Sequence, residues 1–163
     1  MKPRKSRRTA KKIAARLKRV AAKRATARKA PQRKLSEKAR LARNKKTVLA
    51  FYEAAINRKD FEAARKYMGD SYVQHNPTAA DGPDGLRVWL EEFKRAYPDL
   101  RAEVKRVVAE GDLVVLHVYG VHGPSPHGTA VVDIFRLENG KLVEHWDVIQ
   151  GIPAELANSN TMF

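Results

Sequence analysis

Two stretches of this chain hold the residue types that could do chemistry. The first, DSYVQHNPTAADG at 70–82, sets His75 and Asn76 between a short alternating segment and Pro77. An imidazole titrates near neutrality, so His75 is a candidate general base. Its bland alternative is structural: His75 and Asn76 satisfy backbone groups where a strand turns into a loop. The second stretch, VVDIFRLENGKLVEHWDVIQGIP at 131–153, carries Asp133. Its Asn139-Gly140 pair is the strongest two-residue hairpin signal. A two-residue loop sets Glu138 opposite Lys141, then Phe135 opposite Glu144, Asp133 opposite Trp146 and Val131 opposite Val148. Cross-strand partners share a face of the sheet. The expectation is one carboxylate among Val131, Phe135, Trp146 and Val148, where lost solvation disfavours its charge and suits proton transfer. A bulge would reverse the parity and bring His145 and Asp147 beside Asp133. The simple register is the reading adopted.

The remaining candidates are weaker. Trp89 and Trp146 suit a core or the lining of a pocket, and His117 lies in an alternating segment that could face a pocket or an interface. His122 and His127 flank GPSP and read as an exposed loop. No His-x-x-x-His or His-x-His pair occurs and there is no cysteine, so neither a metal centre nor a disulfide is expected.

Certain elements must position these residues. Val48, Phe51, Tyr52, Ala55 and Ile56 follow helical spacing, with Asn44 as the expected N-cap. Asp60 caps a short second helix, residues 71–75 alternate, and Leu86, Trp89, Leu90, Phe93 and Tyr97 mark a third helix ending before Pro98. Four strand-like segments follow, at roughly 101–109, 113–122, 129–138 and 141–150. The order α-α-β-α-β-β-β-β predicts an α+β fold, its helices covering one face of a curved antiparallel sheet.

Charge divides the chain in two. Residues 1–46 carry 21 Lys/Arg and one acid, whereas residues 47–163 carry 12 Lys/Arg and 17 acids. The pI of about 10.3 therefore describes the N-terminal segment and not the domain. The predicted division is a basic tail, 1–43, and a domain, 44–163. Residues 1–34 have 16 Lys/Arg, eight Ala and no aromatic, which fits a loose helix or sequence-independent nucleic-acid binding by charge. Nothing approaches the roughly 18 apolar residues of a membrane span, and no apolar secretory leader opens the chain. A cytoplasmic location is expected.

Element order and motifs together resemble the nuclear-transport-factor-2-like superfamily. Within it, "YVQHNP…DG", "VVDIFRLENGKLVEHWDVIQGIP" and the ending "NSNTMF" are similar to the SnoaL-like polyketide cyclase branch, in a bacterial subgroup of predicted aldol-condensation-catalysing enzymes. The resemblance covers 44–163 and implies a cone-shaped sheet around a long helix, a pocket between them, and homodimers formed through the sheet. It implies cofactor-free acid/base chemistry, a lyase or isomerase on a small apolar carbonyl substrate, with Asp133 as the proton-transferring carboxylate. By context it gives Tyr52 the oxyanion-binding role known from ketosteroid isomerases. The isomerase base falls on Asn76, which cannot take a proton, so His75 is the replacement. Phe135, Trp146, Trp89 and His117 are expected to line the pocket. The alternative is a noncatalytic binding or dimerisation module that the tail tethers to nucleic acid.

Overall fold

The computed structural model describes residues 35–163; the stretch 1–34, which carries most of the expected nucleic-acid-binding tail, lies outside the described residues. Helix α1 spans Glu37–Tyr52, and the Ser36 hydroxyl accepts from the Ala39 N–H at 3.3 Å as its N-cap. Asn44, expected as the cap, is instead a buried mid-helix residue. Helix α1 thus begins before residue 44, because Ser36 with Glu37 in the first turn supplies the start signal. A π turn, Glu53–Asn57, continues α1, closed by the Arg58 N–H donating to the Glu53 carbonyl at 3.0 Å. Helix α2, Phe61–Arg65, starts on Asp60, whose carboxylate accepts from the Ala63 N–H at 3.0 Å.

Strand β1, Met68–Gln74, leads to helix α3, Gly82–Ala96, and then to β2 (Arg101–Glu110), β3 (Leu113–Val121), β4 (Thr129–Glu138) and β5 (Lys141–Gly151). The sheet is curved and unclosed, in the order β1-β5-β4-β3-β2. Strands β2 to β5 form the expected antiparallel meander, but β1 lies parallel to β5 at one edge. The inner face of the meander meets the helices in a core that includes Val48, Phe51, Leu90, Leu116, Phe135 and Leu142. Arg40 ties α1 to the β2–β3 turn by donating to the Gly111 carbonyl at 2.7 Å. Among the described residues no helix is long and apolar enough to cross a membrane.

The β4–β5 hairpin turns as its sequence demands, with Asn139 at φ 53° and Gly140 at φ 80°. Pairing starts at Glu138 with Lys141 and Leu137 with Leu142, then skips Val143 and resumes at Arg136 with Glu144. Beyond the bulge Phe135 faces His145, Ile134 faces Trp146 and Asp133 faces Asp147. The simple register is therefore overturned: Trp146 is not on the face of Asp133. Leu142 and Val143 are consecutive and both buried. Strict alternation would expose one of them, and the bulge buries both.

Candidate active site

Between α1, α3 and the concave face of the sheet lies a cavity of about 470 Å³. Its walls are mostly apolar and aromatic, with Phe51, Tyr52, Trp89, Phe93 and Tyr97 contributed by the helices and the π turn adding Ala55 and Ile56. Its polar end comes from three adjacent strands. β4 supplies Asp133, β5 supplies His145 and Asp147, and β1 supplies Tyr72 and Gln74, with Asn76 just beyond.

His145 is held on both sides. Its Nδ1 lies 2.8 Å from the Gln74 Oε1 and its Nε2 lies 3.0 Å from the Asp133 Oδ1. The Gln74 Oε1 also accepts from the Asn76 backbone N–H at 3.0 Å, which identifies that atom as the amide oxygen. An oxygen facing Nδ1 requires a hydrogen there, so Nδ1 is the donor. The second ring nitrogen faces the Asp133 carboxylate along the Nε2–Oδ1 line. Phe135 stacks under the imidazole at 4.6 Å between centroids and fixes its plane. Asp133 is 5% exposed, and its other oxygen, Oδ2, is buried and makes no hydrogen bond of ordinary length, the Tyr52 phenol being the donor that approaches this carboxylate. Such a carboxylate oxygen at the end of an apolar cavity is a proton acceptor poised for a ligand.

Asn76 plays a second supporting part. Its amide donates to the Asp147 carboxylate at 2.6 Å, while its Oδ1 accepts from the Thr78 N–H and hydroxyl at 2.8 and 2.6 Å. The Thr78 hydroxyl in turn accepts from the Trp89 indole N–H at 3.2 Å. Asp133, His145 and Asp147 each place a ligand-type atom within 4.8 Å of the others, and among the described residues this is the group that could hold a metal ion. A metal there would have to displace the hydrogen bond between Asp133 and His145.

Two phenols line the cavity near this end. Burial first, then the Asp133 charge and the approach of the phenol to that carboxylate as a donor, hold Tyr52 well above the ordinary tyrosine value, and burial followed by the Asp133 charge raises Tyr72. Both are neutral O–H donors at working pH. The raised value in the folded chain fixes the sign of a pH effect. Their contribution to stability is complete below the ordinary value of 10.0 and is lost as pH rises past it, because the unfolded chain sheds the protons first. The unfolding midpoint should fall with increasing pH above that value, and Tyr52→Phe with Tyr72→Phe should flatten the fall. An identical slope in urea titrations of the two proteins would contradict this.

Of the residues singled out from sequence, Asp133, Tyr52, Asn76, Trp89 and Phe135 line the cavity. His75, the expected replacement base, does not. Its ring lies outside the cavity, stacked on Trp146 at 4.7 Å with the planes 8° apart, and its Nε2 is 3.0 Å from Glu144. That hydrogen bond, and then the one from Arg136, holds Glu144 below the ordinary carboxylate range. Strand alternation is the cause, since Tyr72, Gln74 and Asn76 point inward and His75 between them cannot. Trp146 is likewise outside. His117 is on the outer face too, 3.1 Å from the Arg106 guanidinium and beside the Phe163 ring. The residues not chosen were His145, Asp147, Gln74 and Tyr72. His145 and Asp147 are two apart on one strand, a spacing that puts them on a common face, and the consecutive apolar pair at 142–143 was the sign that this face is the inner one.

A curved mixed sheet closed over by helices around an internal cavity defines the nuclear-transport-factor-2-like class. The family model described as SnoaL-like polyketide cyclase matches residues 46–157, and the chain belongs to this family. Solved structures agree on the fold. TsrD from Streptomyces laurentii is 22% identical with a TM-score of 0.58, the match covering 71% of this chain and 91% of that one. Wild-type IdmH from Streptomyces antibioticus, titled as a candidate polyketide cyclase, is 24% identical with a TM-score of 0.56 and covers 65% and 91%. An NTF2-like protein of unknown function from Cytophaga hutchinsonii is 19% identical at 0.55, covering 73% and 94%. No curated protein matches the chain.

Proposed function

We propose that this protein is a cofactor-independent acid/base enzyme that forms an enolate within a bound carbonyl compound and carries it through an intramolecular aldol-type condensation or isomerisation. The observation that supports this most is the buried Asp133 Oδ2 at the polar end of an apolar cavity, its partner oxygen bonded to His145. Oδ2 takes a proton from the carbon next to the carbonyl, and the electron pair of that C–H bond moves into the enolate. Tyr52 and Tyr72, neutral phenols, supply hydrogens for the developing oxyanion. In condensation the enolate carbon bonds to a second carbonyl carbon of the same molecule. The new alkoxide recovers the proton from Asp133. His145, held by Gln74, stabilises Asp133 in both states and is a positioning residue.

Solvent exchange tests the first step. In heavy water the protein should accelerate deuterium incorporation next to the carbonyl of a polycyclic β-dicarbonyl compound, followed by NMR. No acceleration over buffer across a panel of such compounds would overturn the reading.

The resemblance also implies a dimer formed through the sheet, and Val108, Val132 and Val148 are exposed on its outer face. We take this stripe as the surface joining two copies, which sedimentation equilibrium reads as a doubled mass. Segregated charge favours one reading outside catalysis, in which residues 1–43 hold the domain on nucleic acid through their Lys/Arg. Binding should then weaken steeply with salt and ignore sequence. Equal affinity with and without residues 1–34 would refute it.

A further inference from the structure

We propose that the cavity is a charge filter that selects ring compounds bearing a protonated amine over neutral ones, and neutral ones over anions. The proposal rests on the reading of this cavity as the substrate pocket. Three acids line it, Asp133, Asp147 and Glu92, and among its described lining residues there is no Lys or Arg. Asp133 is buried and Asp147 half-buried at the polar end of the cavity, and Glu92 is exposed on α3. Buried Asp133 Oδ2 makes no hydrogen bond of ordinary length and can accept from a donor on the ligand.

The walls act in the same direction. Trp89 and Phe93 stack at 4.7 Å between centroids, Tyr97 follows at 5.8 Å, and aromatic faces attract cations. Lys59 stands 5.9 Å from the Phe93 ring, but it is not among the lining residues and its Nζ donates to the Leu100 carbonyl at 3.0 Å. It therefore offers a bound anion no counterion inside the cavity. A carboxylate or phosphate on the ligand would face acids with no basic partner, and leaving an ion desolvated and unpaired is costly.

The test uses three probes with one ring system: 2-naphthylmethylamine, 2-naphthylmethanol and 2-naphthoate at neutral pH. Calorimetric or ligand-observed NMR titration should find the amine bound about 3–10-fold tighter than the alcohol, and the carboxylate at least about tenfold weaker than the alcohol, the size expected of nearby charges in a partly desolvated site. Glu92→Gln should narrow the amine-to-carboxylate ratio without affecting folding, since Glu92 is exposed on α3. Asp147→Asn should narrow it further. Equal affinities, a preference for the carboxylate, or no binding of any probe at millimolar concentration would overturn the filter. None of these results depends on turnover, so failure of the exchange experiment leaves the binding order standing, and the reverse holds too.

Discussion

Asp133→Asn should lower the rate of deuterium exchange and of turnover about 10²–10⁴-fold, the usual contribution of a positioned general base. The amide keeps the shape of the side chain, and its oxygen can still accept from His145 Nε2. It removes the one group able to take a proton at Oδ2. Affinity for a neutral ligand should change little, because the aromatic walls are untouched. The loss should therefore sit in kcat, with KM nearly constant. An exchange rate equal to that of the unaltered protein would end the assignment of Asp133 as the base.

Val143→Glu should have the largest effect on stability. This residue is the extra one in the β4–β5 ladder. Val143 is 7% exposed, so the substitution puts a carboxylate into the core. The neighbouring Glu144 already holds Arg136 Nε at 2.6 Å and His75 at 3.0 Å, so neither is available to the new acid. A carboxylate moved inside without its partners costs about 3–5 kcal/mol. Urea unfolding reads this as a large drop in midpoint. An unchanged midpoint in the variant would mean that Val143 is not held in the core.

That one residue also marks where reading the sequence stopped. Element order, the Asn139-Gly140 turn and the cap at Asp60 are local features, each with its own residue signal, and the folded chain follows them. Asn44 misled because Asn is a good cap by type, while Ser36 sat ahead of it next to a basic run that reads as tail. The parity of β5 is not local. It depends on whether Leu142 and Val143 are both needed inside, which is settled by packing against Tyr67, Met68 and the helices. Asp133 was legible as the lone acid on its face, yet its partner was not, since a shift of one residue exchanges Trp146 for His145. His75 was chosen by chemical type, but its face follows from Tyr72 and Gln74 on either side.

The bonded path from the Trp89 indole through Thr78 and Asn76 to Asp147 gives the molecule a way to register occupancy. The recognising rings sit on helices and the proton-handling groups on strands, and this path is a direct polar link from α3 to the strand end. A ring compound leaning on Trp89 would tug on the carboxylate next to the base. Chemistry could thereby be kept in step with filling of the cavity, while other positions on α3 stay free to vary with the ligand.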